Sequence, residues 1–211
     1  MIQRREYINH FWEPYMLSEK EFLSIVDYVA LRDCNLNTSS EKLIRSLLST
    51  CELFESTMRT MYDLSGKPTF DDYLRNMLSD SDFNMDIEIQ LTRGMIAFPF
   101  QPFTGAKPGN APLWWSAHNK VKHDRATEFD EGSLQNCILA LAALYYANCQ
   151  FVKKIGDYWY ARLPHTHSNC RDVPNDTSKL FSNSFMNTRH SVMGYEVYAI
   201  TNDEIDDICK F

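Results

Sequence analysis

The 211-residue sequence has no glycine-rich phosphate loop and no G-x-S-x-G nucleophile turn. Arg93-Gly94 and the stretch from Gly105 to Gly109 match no phosphate-cradling pattern, so nucleotide hydrolysis by a standard P-loop is excluded. There is no C-x-x-C pair either. The six cysteines stand at irregular intervals (34, 51, 137, 149, 170 and 209). Cys51, Cys137 and Cys149 fall on apolar helical positions, which suits reduced, buried thiols better than a disulfide framework or a zinc knuckle. The same placement argues against a cysteine nucleophile, which needs a partly exposed thiol beside a base. Positive charge is in deficit, 21 Lys and Arg against 28 Asp and Glu, for a formal net charge of -7. A broadly basic surface for nucleic acid or anionic lipid is therefore absent, although a local basic patch is compatible with the total. The apolar stretch from Cys137 to Ala147 is shorter than the roughly 18 residues a membrane span needs. Arg4, Arg5 and Glu6 interrupt the start of the chain where a signal peptide would be apolar, so a cytoplasmic protein without a membrane association is expected.

What the chain does have is 44% apolar and 13% aromatic residues, enough for one core, with an ordinary 23% charged. One domain over residues 1–211 is expected. Residues 1 to 17 read as an arm packed by Tyr7, Phe11, Trp12 and Tyr15 around Pro14. A helix start follows at Ser18, where Glu21 completes a capping box and Phe22, Ile25, Val26 and Val29 share a face. The most regular helix opens at Ser39 or Ser40. It carries Leu43, Ile44, Leu47, Cys51, Phe54, Met58, Met61 and Tyr62 on one stripe before Gly66. A short third helix runs from Thr69 to Leu78, with Thr69 as N-cap and Asp71 and Asp72 in its first turn. Ile87, Ile89 and Leu91 alternate with Glu88, Gln90 and Thr92 as in a half-buried strand. Residues 85–112 as a whole form an extended or loop insertion.

Pro112 is suited to open the next helix, expected to reach about Arg125. Another begins near Asp130 to Ser133. From Cys137 to Ala147 it has no charged or strongly polar residue on any face, so the rest of the bundle is expected to surround it. Residues 156–211 read as a less helical appendage, with Tyr158 to Leu163 and Tyr195 to Ile200 as candidate strands and an acidic tail. The fold class is mainly α: an antiparallel bundle of about five helices with a small strand or hairpin appendage.

Histidines, cations, an amide and two tryptophans converge between Pro112 and Arg125. At 100° per residue, Leu113, Trp114, Ala117 and Val121 form an apolar arc. His118, Lys122 and Arg125 form a second arc, with Asn119, His123 and Trp115 beside it. That polar face suits three roles: histidine acid–base catalysis of phosphodiester cleavage with cations stabilising the phosphate, phosphate binding and base stacking without chemistry, or architecture. His118 and His123 are five residues apart, hence about 140° apart on a helix, and would not share one metal ion easily. His165, His167 and Cys170 in a loop lack a second pair of ligands, so no metal and no cofactor is expected. A small-molecule pocket among Trp12, Phe103, Trp114 and Trp115 is a further arrangement these residue types allow.

The pattern Trp114-Trp115-x-x-x-Asn119-Lys-x-Lys122-His123-x-Arg125, followed by the Ala- and Leu-rich helix from Leu134 to Cys149, resembles the helix pair of HEPN-like all-α proteins. The likeness is to uncharacterised bacterial members with an Asn-x-x-Lys-His-x-Arg motif, and it covers about 40 of the 211 residues. The resemblance implies a homodimer with the motif at its cleft. In active families it implies metal-independent RNA cleavage in toxin–antitoxin or phage-defence settings, with a cognate antitoxin or regulatory protein as partner. The active motif is an arginine, usually followed by a polar residue, with a histidine four to six residues after the arginine. Here His118 stands where the arginine falls, while Asn119 and His123 fit the rest. On that basis His123 is the expected acid–base residue, Arg125 with Lys122 the phosphate stabilisers and Asn119 the orienting group, with His118 and Trp115 on the same phosphate-contacting face. The alternative is a non-catalytic interaction or regulatory module in which the same motif is structural.

Overall fold

The computed structural model describes residues 2, 4–92, 94–101, 111–160 and 178–181. They form five helices and one two-stranded antiparallel sheet. The first helix, α1, starts well before Ser18: it runs as Arg4–Tyr7, widens into a π turn at Ile8–Trp12 and continues as Glu13–Val26. Ser18 is buried inside it and caps nothing. The helix passes Pro14, with the Glu13 N–H reaching back to the Ile8 carbonyl, five residues away. Pro14 then sits in the first turn of the following segment, where its missing N–H is tolerated. Packing by aromatics is as expected: Tyr7, Phe11, Trp12 and Tyr15 are all buried.

Helix α2 spans Glu41–Met61, and the Ser40 hydroxyl accepts the Leu43 N–H at 3.2 Å. Every residue of its expected apolar stripe up to Met61 is buried. Helix α3, Phe70–Ser79, opens with Asp72 accepting both the backbone N–H of Thr69 (2.7 Å) and its hydroxyl (2.8 Å). Those bonds hold the Asp72 carboxyl below its ordinary range. The alternating stretch yields a small hairpin. β1, Ile89–Gln90, pairs with β2, Ile96–Ala97, in the register Ile89↔Ala97 and Gln90↔Ile96. Ile89 and Leu91 face inward while Glu88, Gln90 and Thr92 are exposed. Gly94 turns the chain between the strands at φ +84°, a region favouring glycine.

Helix α4 is Leu113–His123 and α5 is Leu134–Tyr160. A 3₁₀ turn, Phe129–Glu131, joins them. Helix α5 is the axis of the fold: residues 141–150 are buried without exception, and α2 packs along it more extensively than any other element. Asn148 is one polar member of this stretch that finds partners. It accepts the Tyr7 hydroxyl at its backbone carbonyl (3.0 Å) and its side-chain oxygen (3.2 Å), and its side-chain amide donates to the Leu144 carbonyl at 3.0 Å. The expected strand at Tyr158 does not form, because the helix continues to Tyr160. Lys153 pairs with Asp157, four residues on, at 3.2 Å within this final stretch of helix. The less helical segment therefore cannot begin at 156. Residues 178–181 pack back on the bundle, with Leu91 and Phe181 forming an antiparallel bridge. Phe103, the histidines at 165, 167 and 190, Cys170, Cys209, the candidate strand at 195–200 and the acidic tail lie outside the described residues.

Candidate functional site

Helix α4 lies against α2 and α5. Pro112 precedes it as its N-cap, with φ -56° and ψ 156°, and its carbonyl accepts the N–H groups of Trp115 (3.1 Å) and Ser116 (3.0 Å). The helix stops at His123 because Asp124 turns to an extended φ of -144°. The Asp124 carboxylate then accepts the Thr127 N–H at 3.3 Å, which starts the next turn. Arg125 is thus in a turn and off the helix.

The six candidate residues separate by depth. Trp115, 7% exposed, belongs to the core and is unavailable for base stacking. Its ring lies 5.0 Å from Phe70, 5.7 Å from Trp114 and 5.2 Å from the His118 ring. Trp114 donates its indole N–H to the Pro99 carbonyl at 2.6 Å. His118, 2% exposed, is buried too, and its Nδ1 has no hydrogen-bond partner. Burial, then the charges of Lys122 and His123, push its imidazole down to about 4. A neutral, solvent-shielded imidazole cannot contact phosphate in this conformation, so the expected place of His118 on the polar arc is corrected.

Arg125 reaches Glu41 in the first turn of α2. Lys120 on the other flank pairs with Glu131 and, at 3.9 Å, with Glu128. Asn119 is half-buried, while Lys122 and His123 are exposed. The surface half of the motif is therefore Asn119, Lys122 and His123, and the other half is packed or paired.

Trp12, Trp114 and Trp115 do not share one cluster. Trp12 packs on Tyr15 and Tyr145, whereas Trp114 and Trp115 pack on Phe54 and Phe70. Cys51, Cys137 and Cys149 are free and buried, and burial raises all three thiols, which removes them as nucleophiles. Among the described residues no group of three or more His, Cys, Asp or Glu could hold a metal ion, and no helix is long and apolar enough to cross a membrane.

Two features escaped the sequence. A polar groove of about 650 Å³ runs beside α4, bordered by Leu113, Ser116, Lys120, Glu128, Glu131 and Asn136. The spacing of Leu113, Ser116 and Lys120 marks that side of the helix, but its far wall comes from the following turn. The second is Glu19, 1% exposed, which accepts bonds from Tyr15 and from residues 178–180. A tyrosine four residues before a glutamate was the sole local signal.

Fold and site together define a mainly helical protein with a small hairpin and a short surface of exposed Lys122 and His123 beside half-buried Asn119. Comparison with family models, curated proteins and solved structures gave no match.

Proposed function

We propose that this chain is a helical binding module that contacts RNA phosphate through Lys122 and His123, and that a single copy is not a complete ribonuclease. The observation carrying this reading is the exposure of Lys122 and His123 on the last turn of α4, with no carboxylate paired to Lys122 among the described residues. The neighbouring cations Lys120 and Arg125 are already paired within the chain. Phosphate recognition needs a cation whose counter-charge comes from the ligand. Asn119, one turn before His123, is the orienting group in this reading.

Cleavage needs an acid and a base, and His118 is buried, so the second histidine would be His123 of another copy across a homodimer cleft. That version keeps the HEPN-like expectation of a toxin or phage-defence role with a cognate antitoxin or regulatory partner.

RNA binding at several salt concentrations tests the proposal. Lys122→Ala should weaken binding and reduce the slope of log K against log salt by about 0.7 for single-stranded RNA. Unchanged binding and slope would remove the RNA reading. Cleavage of an RNA panel by wild type but not His123→Ala would establish the catalytic version.

The burial of Trp115 and His118 favours a second reading, in which the whole motif is architectural. It predicts a lower melting temperature for Asn119→Ala and His123→Ala, whereas binding residues can be changed with little loss of stability.

A further inference from the structure

The C-terminal end of α2 borders a cleft of about 370 Å³, with Ser56, Arg59, Thr60, Met61, Asp63 and Leu64 in its wall. That volume is within the range of small-molecule sites. The helix closes here through two backbone bonds. The Leu64 N–H donates to the Arg59 carbonyl at 2.9 Å, and the Asp63 N–H donates to the Thr60 carbonyl at 3.4 Å. Such a closure turns one residue into the left-handed region, where glycine is usual. Asp63 fills that position at φ 52°, and among the described residues no other non-glycine has a positive φ.

The carboxylate of Asp63 gives the fold nothing in return for this backbone. It is exposed and makes no hydrogen bond or ion pair among the described residues. Arg59, also exposed, is equally unpaired. Arginine and aspartate four residues apart commonly bond across one helical turn, yet these two stay separate on the wall of one cleft. A rarely populated backbone state whose side chain bonds nothing points to use by a ligand. A free guanidinium and a free carboxylate together match a small molecule that carries both charges. The Ser56 and Thr60 hydroxyls add polar contacts, and buried Met61 with half-buried Leu64 supplies an apolar wall.

We propose that this cleft binds a free α-amino acid with an apolar side chain. Arg59 takes the carboxylate, Asp63 accepts the ammonium N–H groups, and the side chain lies on Met61 and Leu64. The site is independent of the phosphate-binding surface. Arg125, next to that surface, meets α2 at Glu41, ~27 Å along the helix from Arg59.

The full-length ¹⁵N-labelled protein is titrated with L-leucine, L-methionine and L-phenylalanine up to about 10 mM, with amide chemical shifts as the readout. At least one should saturate. Its amide, which lacks the carboxylate, and its deaminated acid, which lacks the ammonium, should each bind about 10- to 100-fold more weakly. Asp63→Gly and Arg59→Gln should each cause a loss of about the same size. Asp63→Gly should also keep or raise the melting temperature, because glycine adopts the left-handed turn freely. Saturation by none of the three, or equal affinity for the amide or the deaminated acid, overturns the proposal. Unchanged binding by either variant overturns it too, and so does a lower melting temperature for Asp63→Gly, which would assign that carboxylate to the fold.

Discussion

Lowering the pH from 7 to 5 should destabilise this protein through His118, and replacing that residue with phenylalanine should remove the effect. The imidazole is 2% exposed, lies 5.2 Å from the Trp115 ring and has an unpartnered Nδ1. Burial first, then the positive charges of Lys122 and His123, hold its pKa at about 4. In the unfolded chain the same group titrates near 6.5. Its folded pKa is therefore depressed, and as pH falls below about 6.5 the unfolded state takes up the proton while the folded state does not. Stability is lost across the window from 6.5 down to 4, at about 1.4 kcal/mol per pH unit. At pH 5 the loss relative to pH 7 is about 2 kcal/mol, a large part of the margin of a typical domain.

Urea denaturation of wild type and His118→Phe at both pH values isolates this contribution. Any packing cost of the larger phenyl ring is common to the two conditions and cancels in the difference. The stability of the variant relative to wild type should rise by about 2 kcal/mol between pH 7 and pH 5. A relative stability that does not change with pH would show that His118 reaches solvent or a partner in the folded protein, and the assignment of the residue to the core would fall with it.

Other substitutions test the frame that holds α4. Ser40→Ala removes the acceptor of the Leu43 N–H at the start of α2 and should cost about 1 kcal/mol in chemical denaturation. Gly132→Ala would place a Cβ 2.1 Å from Cγ1 of Ile44 and 3.3 Å from its Cα, so a loss of about 1–3 kcal/mol is expected from overpacking. Trp114→Phe leaves the buried Pro99 carbonyl without its donor and should lower the melting temperature more than Trp115→Phe, for which no indole hydrogen bond is lost among the described contacts. Arg125→Ala opens a solvent-exposed pair with Glu41 and should leave the melting temperature nearly unchanged.

The parts of the fold that were legible are those where one local signal is enough. Ser40 and the stripe behind it mark α2, Thr69 with Asp72 marks α3, and the absence of polar side chains from Cys137 to Ala147 marks α5 as the axis. The start of α1 was not legible, because whether a helix passes Pro14 depends on whether the preceding turn can widen, and nothing in the neighbouring residue types announces a π turn. Glu19 was illegible for a different reason: three of its four donors come from residues 159 to 161 positions away.

Within the candidate site, angle did not tell depth. On a helical wheel His118 stands ~40° and Trp115 ~100° from Trp114, so the histidine lies between two tryptophans that a core would claim. The angle groups His118 with the cations and also sets it between the two tryptophans, and the structure buries it with the latter. Angle alone would still have failed for Lys122, at ~80° and inside the same arc. The lysine is nevertheless exposed, because its long stem can lie along apolar surface while the ammonium stays in water. An imidazole has no such stem. Its polar atoms share the depth of its ring, and that difference decides which of two neighbouring polar residues on one arc is free to meet a ligand.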